Sequence, residues 1–213
     1  MPIPFYFYLA AMAIIVWVVY KRRISDDLSI IGNYIIYSLS FELLAWVYSY
    51  LYYESNHWIY NIYTSLQFIF LGFIYRRMLN SSKARNAIRV FSLLYPLLVF
   101  LNFLFLQSFF KFHTYTYIAG CLFIIILIFS YFNQLLNLEK VESLKRNPFF
   151  WFNVGNTIFF VGSIFYLGSV NFILEKGLDV YGDLINAFVY SFTSIQYVFF
   201  IIALLCNLKP VMN

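Results

Sequence analysis

Residues 114–134 read TYTYIAGCLFIIILIFSYFNQ, a run of 21 residues without a single charged side chain. A helix of this length extends about 30 Å, which is the thickness of the hydrocarbon core of a bilayer. Its polar members are neutral residues such as threonine and tyrosine, which helices carry into lipid. The stretch therefore predicts a membrane-spanning α-helix.

Six further stretches of the chain are similar in length and hydropathy. Of the 213 residues, 63% are hydrophobic and 11% are charged, whereas roughly a quarter of an ordinary soluble domain is charged. The composition excludes a soluble globule of this size. We predict an all-α membrane protein with seven transmembrane helices, at residues 3–20, 29–52, 58–79, 87–106, 114–134, 149–172 and 184–207.

The basic residues lie mostly on one side of the predicted membrane. Twelve of the 14 Lys and Arg residues follow or flank the odd-numbered spans on that side, and Lys111 and Lys176 lie on the other. Because short basic loops stay in the cytoplasm, this pattern predicts an outside N-terminus and a cytoplasmic C-terminus in the cell (inner) membrane. Topology thus accounts for the net charge of +5, and we predict no nucleic-acid partner. The first span lacks a cleavage pattern, which predicts a retained helix rather than a signal peptide.

The third and seventh spans share a polar pattern. Residues 64–70 read TSLQFIF and residues 193–199 read TSIQYVF. Threonine, serine and glutamine are uncommon inside a bilayer, so their alignment carries more information than a match between aliphatic residues. The pattern indicates an internal repeat.

Two more pairs of spans extend the repeat. The second and sixth spans align as IGNYIIYSLS at 31–40 and VGNTIFFVGS at 154–163, and the first and fifth align more weakly. The pairs are collinear and cross the membrane in the same direction, as in parallel repeats of transporters. We predict one transmembrane domain, 1–213, in which two three-helix repeats (1–80 and 114–207) are joined by a linker helix (87–106). Coincidence among compositionally biased residues is the alternative.

Four of the repeated polar residues are candidates for a substrate-binding site. Gln67 and Gln196 lie near the middle of their spans, and Thr64 and Thr193 lie one turn nearer the outside on the same faces. A buried amide must meet a protein partner, a water molecule or a ligand. The functional interpretation is a polar site at the midplane between the repeats, and the alternative is hydrogen bonding between neighbouring helices.

The second and sixth spans carry another pair of repeated polar stripes. Asn33 with Ser40, and Asn156 with Ser163, are each seven residues apart and so share a helix face. They are further candidates for the substrate site. Packing is the alternative, because glycines beside the second stripe allow helices to approach closely.

Glu42 is the only acidic residue in the interior of a predicted span. A carboxylate in hydrocarbon is costly, which makes it a candidate for proton or ion binding. A neutral hydrogen-bonding carboxyl group is the alternative. Glu42 lies on the opposite side of its helix from Asn33, and its repeat counterpart is Phe165, so it is not part of the repeated pattern.

Several kinds of chemistry lack their usual residues. The only histidines are His57 and His113, which we expect at the outer surface. A zinc site would need both together with a carboxylate such as Asp183, and we predict neither a metal nor a cofactor. The sequence has no nucleotide-binding or hydrolase motif, so we assign no catalytic residue. Cys121 and Cys206 are predicted to be unbridged.

The predicted architecture resembles that of the SWEET and PQ-loop transporters, with an outside N-terminus, seven spans and a parallel three-plus-one-plus-three repeat. In SWEET transporters an amide side chain from each of the third and seventh helices faces the substrate. The resemblance implies this role for Gln67 and Gln196. The Pro-Gln dipeptide that names the PQ-loop group is absent, and Pro4 and Pro148 do not match the SWEET hinge prolines. Microbial rhodopsins share the gross topology.

Three functions follow from this pattern. The first is transport of a small polar solute, with Glu42 as the proton-coupling group. The second is a seven-helix sensor or accessory protein that acts through partner membrane proteins or as a homo-oligomer. The third, an intramembrane lipid enzyme, has the least support, because no nucleophile can be paired with a base.

Overall fold

The computed structural model describes residues 4–21, 26–137, 144–177 and 183–206. These ranges contain helices and no β-strand. A 3₁₀ turn, Leu144–Arg146, precedes the sixth helix. The α-helices in chain order are α1 (Phe5–Tyr20), α2 (Asp26–Tyr52), α3 (His57–Met78), α4 (Ser82–Phe105), α5 (Thr114–Leu136), α6 (Pro148–Glu175) and α7 (Asp183–Leu205).

The helices are those of a multi-pass membrane protein. Within the residues that the structure describes, five stretches are long and apolar enough to cross a bilayer: Leu28–Tyr52, Ser82–Phe105, Thr114–Leu136, Pro148–Ser169 and Asn186–Leu205. This confirms the predicted all-α membrane class. The helix α1 has only 16 residues, and α3 carries two arginines in its last turn. Seven spans and their orientation stay predictions.

The helix α4 begins five residues before the predicted span. Ser81 is its N-cap and accepts a hydrogen bond from the Ala84 N–H at 3.3 Å. Hydropathy marks where a helix enters lipid, whereas a capping side chain marks where the backbone becomes helical. The two boundaries differ because the first turns of α4 carry basic residues.

The contacts between residues divide the chain into two compact units. The first unit comprises residues 33–138 and contains most of α2 with α3, α4 and α5. The second comprises residues 2–32 and 139–213 and contains α1, α6 and α7. Each unit thus joins helices that the sequence pattern assigns to different repeats. The repeat itself stays a prediction.

Aromatic residues form the core of the first unit. Phe68 of α3 packs edge-on against Tyr95 of α4 and Tyr117 of α5, with ring centroids 5.6 and 5.5 Å away. Phe91 of α4 stacks on Phe123 of α5 at 3.8 Å. Through these ring contacts α3, α4 and α5 pack against one another. Cys121 is buried nearby and is free, as predicted.

In the second unit α7 packs against both α1 and α6. Phe152 of α6 stacks on Phe200 of α7 with centroids 5.0 Å apart. A Cβ atom added at Gly155 would lie only 3.2 Å from the backbone oxygen of Gln196. The close helix approach predicted beside the Asn156 stripe is confirmed at this position.

Candidate functional site

The predicted amide of the first unit is buried in a hydrogen-bonded network. Gln67 is 1% exposed, and its Nε2 donates to the Tyr34 hydroxyl at 2.7 Å. Tyr34 also bonds to the Ser38 side chain, and the Tyr63 hydroxyl donates to Ser38 Oγ at 3.1 Å. We call Gln67, Tyr34, Ser38 and Tyr63 the α2–α3 network. It lies midway along α3, about 15 Å from either end.

Glu42 extends this network along α2. Tyr34, Ser38 and Glu42 are spaced at i, i+4 and i+8, so they form one stripe of the helix. All three are buried, and Glu42 is 8% exposed. An ionisable group and hydroxyl groups in a row can pass or store a proton within a membrane. The sequence pattern indicated Glu42 but not the two hydroxyl groups beside it.

The predicted amide of the second unit pairs with an asparagine. Gln196 Nε2 donates to Asn156 Oδ1 at 2.9 Å, and the two residues are 5% and 0% exposed. Asn156 Nδ2 has no hydrogen-bond partner among the described residues. A buried donor without an acceptor costs about 1–3 kcal/mol, so this nitrogen is the place where an added acceptor would be favourable.

The other predicted site residues do not form one cluster, and some of them are buried whereas others are exposed. Thr193 is buried one turn from Gln196. Asn33 and Ser40 are exposed, on another face of α2 from the network. The Ser40 hydroxyl donates to Ile36 O at 2.7 Å, and that of Ser163 donates to Phe159 O at 2.8 Å. These serines satisfy their hydrogen bonds within their own helices.

Thr64 lies in a second buried cluster, which we call the α3–α5 polar cluster. Its members are Asn61 and Thr64 of α3 with His113 and Thr116 at the start of α5. Asn61 Nδ2 donates to the carbonyl oxygens of Phe109 at 2.7 Å and of residue 111 at 2.9 Å. Its Oδ1 accepts the His113 N–H at 3.0 Å. Asn61 thus fastens the α4–α5 loop to α3.

The hydrogen bonds of the cluster determine the tautomer of His113. The Thr64 hydroxyl donates to Tyr60 O at 2.7 Å, so Thr64 Oγ1 must accept from His113 Nε2, which lies 2.6 Å away. Burial lowers the pKa of His113 to about 4 and so keeps the imidazole neutral at pH 7, with its proton on Nε2. Nδ1 is then the acceptor of the Thr116 hydroxyl at 2.6 Å, which is nearer than the other acceptor of that hydroxyl, His113 O at 3.3 Å.

The expectation that His113 lies at the outer surface is wrong for its side chain, which is 0% exposed. The imidazole is covered because Asn61 draws the loop onto α3 and Phe103 lies 5.7 Å from the ring. In the described part of the chain, no three His, Cys, Asp or Glu residues are grouped as metal ligands. The spacing of threonines around the histidine, at positions 114 and 116, was the available signal for the cluster.

Neither a family model, nor a curated protein, nor a solved structure matches this chain. The relation to the SWEET and PQ-loop transporters stays a prediction.

Acidification is expected to destabilise the protein through His113. Burial lowers the pKa of His113 from 6.5 to about 4, so between these values the unfolded chain binds a proton that the folded chain does not. The free energy of unfolding therefore falls as the pH drops from 6.5 towards 4, by about 2 kcal/mol at pH 5. Thermal unfolding in detergent across this range measures the loss.

Two variants separate His113 from other groups that titrate. His113→Gln should be less stable than the wild type at pH 7.5, and the gap should narrow as the pH falls. His57→Gln changes the exposed histidine, whose pKa is also lowered by partial burial but less than that of His113, and it should keep most of the wild-type dependence. If the stabilities of the wild type and of His113→Gln fell in parallel with pH, the pH dependence could not be assigned to His113.

Proposed function

We propose that the protein moves a small polar solute across the membrane and couples this movement to a proton at Glu42. The observation that carries the proposal is the Asn156–Gln196 pair, a buried polar pair in which Asn156 Nδ2 has no acceptor among the described residues. Gln196 lies about 15 Å from either end of the apolar part of α7, which is mid-depth for a bilayer. Polar residues that face the interior of a helix bundle at this depth often line the path of a substrate or an ion.

The unused donor restricts the chemistry of the solute. Asn156 Nδ2 can donate and cannot accept, so the group that meets it must be a carbonyl, a carboxylate or a hydroxyl oxygen. Thr193 lies one turn from Gln196 on α7, is also buried and can supply a further hydroxyl group. Amino acids, small organic acids and sugars satisfy this requirement.

The proton-coupling role rests on Glu42 and the hydroxyl groups next to it. Glu42 is buried one helical turn from Ser38, which bonds to Tyr34. A carboxyl group in low dielectric changes its protonation when its surroundings change. Movement of α2 during transport would alter those surroundings and so take up or release the proton.

Transport assays in proteoliposomes test both parts of the proposal. Vesicles that contain the pH indicator pyranine are exposed to a panel of amino acids, organic acids and sugars, and uptake of each radiolabelled solute is measured with the internal pH. We expect one class to enter together with a pH change. Asn156→Ala should abolish uptake. Glu42→Gln should remove the pH change while solute exchange between the two sides continues.

Glu54→Gln is the matched control, because Glu54 is an exposed glutamate outside the helices. This variant should retain both uptake and the pH change. Failure of every solute in the panel to enter would remove the transport proposal. An unchanged pH signal in Glu42→Gln would remove the coupling role alone.

A further inference from the structure

A groove lies at one end of the first unit, between the start of α4 and the end of α5. Its volume is about 600 Å³, within the range of known small-molecule sites. The polar residues that line it are Asn80, Ser81, Lys83, Ser130, Asn133 and Gln134. We call it the α4–α5 groove. By the predicted orientation it faces the cytoplasm.

Gln134 holds the wall of the groove in place. Its Oε1 accepts the Asn80 N–H at 2.8 Å, and its Nε2 donates to Met78 O at 3.1 Å. The α3–α4 loop is thereby fixed to α5, so the groove belongs to the packed structure. Asn133 and Lys83 are exposed, which leaves an amide and an ammonium group available in it.

The basic residues at the start of α4, of which Lys83 lines the groove, are not placed to stabilise the protein itself. Lys83 and Arg85 lie in the first turn, where the helix dipole disfavours positive charge, and Arg89 lies one turn further along. The first turn contains no acidic residue, and none of the three forms an ion pair within the described part of the chain. Arg85 and Arg89 also repel each other at i, i+4. Positive-inside topology requires cations on this side but does not require a groove beside Lys83.

Below the groove the two helices present apolar surface. One turn deeper, Phe91 stacks on Phe123 at 3.8 Å. On the outside of this contact Val90 is 54% exposed and Ile126 is 61% exposed. A molecule in the groove with an anionic head and an apolar tail would find a surface for each part.

We propose that the α4–α5 groove binds the headgroup of an anionic phospholipid. Lys83 contacts the phosphate, Asn133 contacts the polar headgroup or the glycerol oxygens, and the acyl chains run along Val90 and Ile126. Juxtamembrane cations attract such headgroups, and the groove converts this general attraction into a site for one lipid. The phosphate offsets the unfavourable position of the Lys83 charge at the N-terminus of α4.

Thermal unfolding of the purified protein in an uncharged detergent tests this proposal. The protein is titrated separately with dioctanoyl phosphatidylglycerol, dioctanoyl phosphatidylcholine and inorganic phosphate. We expect phosphatidylglycerol to raise the Tm in a saturable manner and the other two to leave it unchanged. Lys83→Gln should require about fivefold more phosphatidylglycerol for half of the shift.

Two further variants distinguish a built site from general charge attraction. Ala87→Leu fills the groove, which Ala87 lines, and leaves every charge in place; it should abolish the shift, which Lys83→Gln only weakens. Lys111→Gln removes an exposed lysine at the other end of the unit and should behave as the wild type. Equal shifts with both lipids, a shift with inorganic phosphate alone, or a full response in Ala87→Leu would overturn the proposal.

Discussion

Replacement of Asn61 by alanine is expected to lower the free energy of unfolding by about 3–5 kcal/mol. The Asn61 amide is 1% exposed and makes three hydrogen bonds to the backbone of the α4–α5 loop. Alanine removes all three and leaves two carbonyl oxygens and one N–H without their partner. It also uncovers His113, whose N–H is one of the three groups. Thermal unfolding in detergent measures the loss of stability.

Limited proteolysis gives a local readout for the same variant. Lys111 lies in the loop that Asn61 holds, and its side chain is exposed. Trypsin should therefore cut after Lys111 much faster in Asn61→Ala than in the wild type, while cleavage elsewhere changes less. Asn86→Ala is the matched control, because Asn86 is an exposed asparagine on α4. Equal rates of cleavage in Asn61→Ala and Asn86→Ala would show that the amide does not fasten the loop.

Hydropathy and the polar pattern predicted the class of the protein and the burial of its central amides. Thr64, Gln67, Thr193 and Gln196 are all 5% exposed or less. The physical reason is general, since a polar side chain in the middle of an apolar helix is tolerated only where protein covers it. Both glutamines bond to the preceding helix in the chain, Gln67 to α2 and Gln196 to α6.

The partners of these amides could not be read from the same pattern. In the alignment of the second and sixth spans, Asn33 corresponds to Asn156. The structure buries Asn156 and exposes Asn33, and Tyr34 takes the bond to Gln67 instead. A rotation of about one residue around α2 accounts for this difference. Helix rotation depends on packing between whole surfaces, and a single stripe of polar residues does not encode it.

The α3–α5 polar cluster is not predicted by the sequence, for a related reason. Asn61 and His113 are separated by 52 residues, and neither belongs to a local motif that would connect them. Sequence periodicity describes which face of one helix is buried. It does not describe which loop folds onto that face, so a histidine between two spans was assigned to the surface.

Replacement of Gly155 by leucine is expected to cost about 3 kcal/mol or more, because it forces α6 and α7 apart. The first added carbon alone would lie 2.9 Å from Phe199 Cβ and 3.2 Å from Gln196 O. These atoms belong to the backbone of α7 or are attached directly to it, so the helix itself must move. Displacement of α7 would also stretch the hydrogen bond from Gln196 to Asn156.

A graded series isolates the helix contact from the effect of glycine on helix formation. Gly155→Ala should destabilise by about 1–3 kcal/mol, between the wild type and Gly155→Leu. Gly168 lies on the same helix, and a Cβ atom added there would meet nothing within 4 Å, so Gly168→Ala should stabilise by about 0.5–1 kcal/mol through helix propensity. A loss of stability in Gly155→Ala together with a gain in Gly168→Ala would show that contact with α7 leaves no space for a side chain at Gly155. Equal shifts in Tm for the two alanine variants would remove that explanation, and with it the close contact on which the position of the Asn156–Gln196 pair depends.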